Sequence, residues 1–207
     1  MGFGWLLIGY FFANVMSLYS PLSFAMLAGY PMMIMGLYHL APYHPRFRYT
    51  FYASFVSLPL AIYFALYGFS QMGFGYFPFF TGTFYTVMEW CYFAFSLLFH
   101  ALFLFAVAGL TRELGLIALE GNAWRNLIFV GTYYLLDGIA RMPIPWIMAH
   151  QGYFSLSLIL LRICFILLNI YLIYKCYRYI CPEGEENMPD KLSQKSKKQK
   201  REKEDKK

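Results

Sequence analysis

Long apolar segments, separated by short connections, decide what this chain can fold into. A helix needs about 20 predominantly apolar residues to cross the hydrocarbon core of a membrane. Six segments of the sequence meet or approach that requirement and carry few charged residues. They are Phe3–Leu18, Ser23–Leu40, Tyr49–Phe69, Phe84–Leu110, Leu127–Gln151 and Tyr153–Tyr174. The sequence therefore predicts an all-α integral membrane protein, with a bundle of six transmembrane helices over residues 1–181.

The amino-acid composition agrees with a membrane protein and sets the last residues apart. Hydrophobic residues make up 59% of the 207-residue chain, against roughly 45–50% in a typical soluble domain. Only 14% of the residues are charged, and most of these follow Pro182. Residues 182–207 are rich in Lys and too polar to offset the entropy lost on ordering. We expect them to form a disordered cytoplasmic tail, with no nucleic-acid partner.

The distribution of Lys and Arg predicts the orientation of the spans. Basic residues are enriched in the cytoplasmic loops of membrane proteins. Here they fall in alternate connections, while the connections at residues 20–21 and 71–83 have none. The basic connections and the segment after the last span contain Arg46, Arg48, Arg112, Arg125, Lys175 and Arg178. Both termini are therefore predicted to be cytoplasmic, and we expect an integral protein of a bacterial plasma membrane.

The connection at residues 111–125 is the longest apart from the tail. Its apolar residues recur at helical spacing, opposite Arg112, Glu113 and Glu120. This pattern is typical of a short amphipathic helix lying on the membrane surface, with Trp124 as its anchor. The loop is interpreted as a membrane tether, with docking of another membrane or cytoplasmic subunit as the alternative.

Four charged side chains fall inside the predicted spans: Glu89, Asp137, Arg141 and Arg162. Such groups are costly within a bilayer and commonly mark substrate or ion pathways. At 1.5 Å per residue, Glu89 would lie about 8 Å from the outer end of its helix, Arg141 and Arg162 about 14 Å, and Asp137 about 20 Å. All four could therefore meet in one polar cavity in the outer half of the membrane.

Two interpretations of these charges follow. In the first, they form a structural network in which Asp137 pairs with Arg141, four residues further on the same helix face, and Glu89 pairs with Arg162. In the second, they line an outward-facing cavity that binds a small molecule, covered by the aromatic connection 73–80 and by residues 142–146.

Evidence for an enzyme is weaker. Ser96 and His100 are four residues apart in the fourth segment and could begin a nucleophile–base pair. The sequence places no carboxylate where it would orient His100, and it contains no motif for a metal or a cofactor. We assign no catalytic residue and expect neither metal nor cofactor, so an intramembrane hydrolase is the third alternative.

The favoured function is a small-molecule-binding or transport component that acts with other subunits, because the chain encodes no energy-coupling element. The alternative is a structural or assembly protein whose buried charges only lock its helices together. The general plan of six spans, cytoplasmic ends and an outward polar cavity resembles that of the substrate-binding membrane subunits of energy-coupling-factor vitamin transporters. This resemblance is one of architecture, and it transfers no residue role to this chain.

Overall fold

The computed structural model describes residues 2–73, 75, 80–142 and 144–180, and its secondary structure within those ranges is entirely helical. The α-helices are α1 (Gly2–Tyr10), α2 (Met26–Leu40), α3 (Pro45–Gln71), α4 (Gly82–Glu113), α5 (Ile117–Ala140), α6 (Pro145–Ala149) and α7 (Gln151–Ile180). A π-helical turn (Phe11–Val15) and a 3-10 turn (Met16–Leu18) extend α1, and a second 3-10 turn (Ser20–Ala25) leads into α2. The predicted disordered tail and most of the aromatic connection 73–80 lie outside the described residues.

Several of these helices are long and apolar enough to cross a membrane. Within the described ranges there are four such segments: Ser20–Leu40, Pro45–Gln71, Gly82–Glu113 and Gly152–Ile180. Gly2–Leu18 is apolar but shorter. The described part of the chain is thus an all-helical membrane protein, as the sequence predicted.

The fifth predicted segment, Leu127–Gln151, is not one helix. Helix α5 begins ten residues earlier, at Ile117, and ends at Ala140, and the short helix α6 follows before α7 starts at Gln151. The sequence Met142-Pro-Ile-Pro145 explains the break, because proline lacks a backbone donor and disfavours the helical conformation in the residue before it. Ile144 is accordingly extended, and Pro145 occupies the first turn of α6.

The connection 111–125 also differs from its prediction. Residues 111–113 form the last turn of α4, and residues 117–125 are the first turns of α5. The chain reverses at Gly115, whose φ of +71° is accessible mainly to glycine. The prediction of a separate surface helix is therefore wrong. The Trp124 ring packs against Phe105 of α4, with 5.3 Å between ring centroids.

Helices adjacent in the chain pack against each other, and α7 returns to contact α1, so that α1, α2, α3, α4, α5 and α7 form a closed ring. We name the two ends of this bundle by the orientation that the sequence predicts. The predicted inner end holds the connections 41–44 and 114–116, and the predicted outer end holds Tyr19 and the connection 141–144.

Glycines permit a close contact in the ring, between α1 and α2. A Cβ atom built on Gly29 would lie 2.6 Å from the backbone nitrogen of Ala13, and one on Gly36 would lie 2.7 Å from the carbonyl oxygen of Gly2. Small residues permit this backbone-to-backbone approach between membrane helices. The contact brings Tyr10 into the interior, where it is fully buried.

Candidate functional site

A cavity of about 240 Å³ lies inside the ring, toward the predicted outer end. Glu89, Asp137, Arg141 and Arg162 all line it, so the structure brings together the four charged residues singled out from the sequence. Eight of the described lining residues are aromatic, and they come from α3, α4, α5 and α7. The site is thus a small cavity with aromatic walls and, among its described lining residues, four charged side chains.

Three of the four charges form a cluster, the Arg141 cluster, made of Glu89, Asp137 and Arg141. The Arg141 Nε donates to Asp137 Oδ2 at 3.1 Å, as the four-residue spacing predicted. Its Nη1 lies 3.4 Å from Glu89 Oε1. The predicted pairing of Glu89 with Arg162 is therefore wrong, because Arg141 serves both carboxylates.

The position of Arg141 in the chain is also corrected. It caps the C-terminal end of α5 instead of lying well inside a span, since the prolines that follow end the helix there. The predicted depths of Asp137 and Arg141 were too large for the same reason. The guanidinium lies 5.8 Å from the centroid of the Trp90 ring and 5.4 Å from that of Phe93, both on α4. Cation–π attraction adds to the two ion pairs in fixing Arg141 at the cavity wall.

Arg162 is different from Arg141. It lies on α7, eleven residues after the helix begins, and its side chain is half-buried. Within the described part of the chain, its guanidinium has no hydrogen bond and no ion pair. Arginine carries five N–H donors in a fixed plane and stays charged in proteins. Arg162 therefore offers the cavity a positive charge that no described carboxylate neutralises by contact.

Ser96 lines the cavity and His100 is buried outside its lining, and the two do not form a nucleophile–base pair. His100 Nδ1 is 2.7 Å from the carbonyl oxygen of Ser96, which can only accept, so Nδ1 carries the proton. The other ring nitrogen, Nε2, then accepts from the Tyr10 hydroxyl at 3.0 Å. The Ser96 hydroxyl bonds instead to the hydroxyl of Tyr134. His100 keeps no lone pair for Ser96, so this geometry does not support a serine hydrolase.

The hydrogen bonds continue from His100 toward the predicted inner end. Asn169 donates to the Tyr10 hydroxyl at 3.0 Å, and Asn126 donates to Asn169 Oδ1 at 3.1 Å. Asn126 and Asn169 are fully buried. Sequence reasoning concentrated on ionisable groups and missed these residues. Asn169 inside the sixth apolar segment, and Asn126 directly before the fifth, were the available signal, since amides in membrane helices generally bond to neighbouring helices.

The π-helical turn Phe11–Val15 contributes a further polar group to the cavity that the sequence did not indicate. Asn14, which lies in this turn, lines the cavity and donates to the Tyr10 carbonyl at 3.2 Å. Such π-helical turns are often found at functional sites. The polar side chain and the local irregularity coincide here with the cavity wall.

A second hollow, at the predicted inner end, has a volume of about 540 Å³ and is lined by residues between Tyr38 and Tyr52. Tyr38 and Tyr52 are 65% and 57% exposed, so this is a surface depression. Its single charged lining residue among those described is Arg48. In the described residues, no group of three or more His, Cys, Asp or Glu side chains is arranged to hold a metal ion. The cavity near Arg162, which is lined by charged side chains from three helices, is the better candidate for a specific site.

No known protein family matches the sequence, and neither a curated protein nor a solved structure is detectably similar to it. The fold defines an all-helical membrane protein, which is compatible with many activities. The function must therefore be inferred from the cavity and its residues.

Proposed function

We propose that the chain is a six-span membrane protein, with both termini cytoplasmic, that binds a small molecule in the cavity between its helices. In this proposal the cavity lies in the outer half of the membrane, and α1 and α5 cross the membrane with the four longer apolar segments. A transport role would require other subunits, because no energy-coupling element is evident in the sequence. Residues 111–125, where α4 turns into α5, are one candidate contact.

The single observation that carries the proposal is the guanidinium of Arg162, which pairs with no residue that the structure describes. An arginine near the centre of a membrane helix costs at least about 2.5–3.5 kcal/mol on insertion scales. A residue kept only to lock helices together should recover that cost through a protein partner. Arg162 instead lines a cavity, where an anionic group of a ligand could accept from its donors.

The volume of the cavity limits the size of the ligand. Pockets for drug-sized molecules occupy roughly 300–1,000 Å³, so 240 Å³ fits a small metabolite. The eight aromatic residues of the wall supply apolar contact, and Arg162 supplies recognition of charge. This division between apolar lining and a few placed polar groups is typical of ligand sites.

The structural alternative accounts for part of the site. The Arg141 cluster holds α4 and α5 together at the end of the bundle, as a helix-locking network would. The structural alternative gives Arg162 no role. The two functions therefore differ in what they predict for Arg162.

Substitution of Arg162 tests the proposal. Wild-type protein, Arg162→Met and Arg178→Met would be purified from native membranes, and the small molecules released on denaturation would be identified by mass spectrometry. Arg178 is exposed on the same helix, so Arg178→Met is the matched control. We expect a small molecule that copurifies with the wild type and the control but is reduced at least about tenfold in Arg162→Met.

Thermal unfolding of the same samples controls for folding. The proposal requires that Arg162→Met remain folded in detergent. A folded Arg162→Met protein that retains the same small molecules as the wild type, or a wild type that retains none, would contradict it.

A further inference from the structure

The balance of charges in the cavity indicates which kind of charge a ligand should carry. Among the described residues that line it, two are acidic and two are basic. Arg141 contacts both carboxylates, so the Arg141 cluster as a whole carries one excess negative charge. Arg162 carries one positive charge that no described residue neutralises by contact. Over its described lining residues the cavity is neutral, but one negative and one positive unit charge do not contact each other.

Arg141 is held at the cavity wall by several contacts. Two carboxylates and two aromatic rings hold the guanidinium of Arg141. Arg162 lies on α7, whereas the carboxylates of the Arg141 cluster lie on α4 and α5. The separated charges are thus built into three different helices.

We propose that the ligand is a small zwitterion, with its anionic group on Arg162 and its cationic group toward Glu89 and Asp137. This inference rests on the proposed function. A ligand with one net charge would leave the loaded cavity charged, which is expensive in a low-dielectric environment. A zwitterion satisfies both ends of the cavity and keeps the total charge at zero.

The walls favour the same class of ligand. Tyr85 and Tyr92 line the cavity beside Glu89 on α4, and Tyr67 lies across from them on α3. The faces of aromatic rings attract ammonium and quaternary ammonium groups. An aromatic wall next to an excess carboxylate therefore suits the cationic end of the ligand, while Arg162 suits a carboxylate or phosphate.

Matched probes distinguish this class from singly charged ligands. Thermal unfolding of the purified protein in an uncharged detergent would be measured with three pools: amino acids, the amines formed by their decarboxylation, and the carboxylates that lack their amino group. The members of a matched set share a side chain and differ in charge. For the wild type we expect a rise in Tm with the amino-acid pool that exceeds the rise with either other pool.

Two further probes distinguish a soluble zwitterion from a zwitterionic lipid headgroup. Phosphocholine and a short-chain phosphatidylcholine below its micelle concentration would be measured in the same way. A response to the lipid but to none of the free zwitterions assigns the site to a zwitterionic lipid headgroup. A response to a free zwitterion assigns it to a soluble metabolite. Either result supports the proposal that the ligand is a zwitterion.

Neutralising one charge at a time should reverse the preference. Arg162→Met leaves the cavity with an excess negative charge and should favour the amine pool by at least about tenfold in relative affinity. Glu89→Gln leaves an excess positive charge and should favour the carboxylate pool by a similar factor. Arg178→Met, outside the cavity, should keep the preference of the wild type.

The possible failures are distinct. A wild type that responds most strongly to amines or to carboxylates overturns the zwitterion but leaves the proposed binding function in place. An unchanged preference in both Arg162→Met and Glu89→Gln overturns the assignment of the charges. If no pool and no lipid raises the Tm, the proposal of a zwitterionic ligand is overturned. The proposed binding function fails as well only if the wild type also copurifies with no small molecule.

Discussion

At the scale of single residues, the sharing of Arg141 between two carboxylates predicts unequal effects of substitution. Arg141→Gln leaves both Glu89 and Asp137 without their partner, and should lower the free energy of unfolding by about 1–3 kcal/mol, the cost of stranding charged groups. Asp137→Asn leaves Arg141 paired with Glu89 and should cost less, about 0.5–1.5 kcal/mol. Equilibrium unfolding in detergent measures both values.

The corresponding multiple variants test the three-residue cluster. Asp137→Asn combined with Arg141→Gln still leaves Glu89 unpaired, so we expect little recovery. Adding Glu89→Gln removes every charge of the cluster and should restore much of the stability, because fully removed ion pairs often cost little. Equal losses for Arg141→Gln and Asp137→Asn would show that Glu89 does not share the guanidinium.

His44 predicts a dependence of stability on pH at the other end of the bundle. Its Nδ1 accepts from the backbone N–H of Arg46, at the N-terminus of α3, and its Nε2 lies 3.6 Å from Glu113 Oε1. Burial lowers the pKa of His44 below its usual value and Arg46 lowers it further, against the opposing effect of Glu113. The neutral form is therefore favoured in the folded state.

The sign of the pH effect follows from that lowered pKa. As the pH falls below about 6.5, the unfolded state takes up a proton at His44 more readily than the folded state, so the protein loses stability. The loss is at most about 1.4 kcal/mol per pH unit. The free energy of unfolding would be measured between pH 7.5 and 5.0 in the wild type and in His44→Asn, since asparagine can also cap a helix. Parallel pH curves for the two proteins would contradict this role of His44.

At the scale of elements, the contact between α1 and α2 predicts that Gly29 accepts no larger residue. The Cβ of Gly29→Ala would lie 2.6 Å from the backbone nitrogen of Ala13, so the helices must separate. We expect a loss of about 1–3 kcal/mol in the free energy of unfolding, as in other overpacked interiors.

Gly131→Ala is the matched control for that contact. Gly131 also lies inside a helix, but a Cβ atom added there would meet nothing within 4 Å. Alanine is better than glycine in a helix by about 1 kcal/mol, so this variant should be as stable as the wild type or more so. A Gly29→Ala protein as stable as Gly131→Ala would mean that α1 and α2 are not in backbone contact.

At the scale of the whole molecule, the positive-inside pattern predicts which side of the membrane each connection faces. Thr81 precedes α4 at the predicted outer end, and Lys195 lies in the tail outside the described residues. In a protein whose four native cysteines are replaced, a membrane-impermeant thiol reagent should label Thr81→Cys in intact cells and Lys195→Cys only after lysis. Labelling of both in intact cells would disprove the six-span orientation.

The sequence by itself determined the class of protein and one contact of the site. Apolar segment length is a local property, so it identified an all-helical membrane protein without knowledge of any packing. The contact of Asp137 with Arg141 was also predictable, because helix geometry alone brings residues four apart together. The break after Ala140 could have been found from Pro143 and Pro145, but apolar composition concealed it.

The tertiary structure decided the rest of the site. The choice of Arg141 over Arg162 as partner of Glu89, and the bonding of His100 to Tyr10, depend on the rotation and axial position of each helix relative to its neighbours. Those quantities are set by contacts between elements far apart in the chain, such as the glycine contact of α1 with α2 and the closure of α7 onto α1. Sequence spacing fixes which residues share a helix face, whereas packing between helices fixes what that face meets.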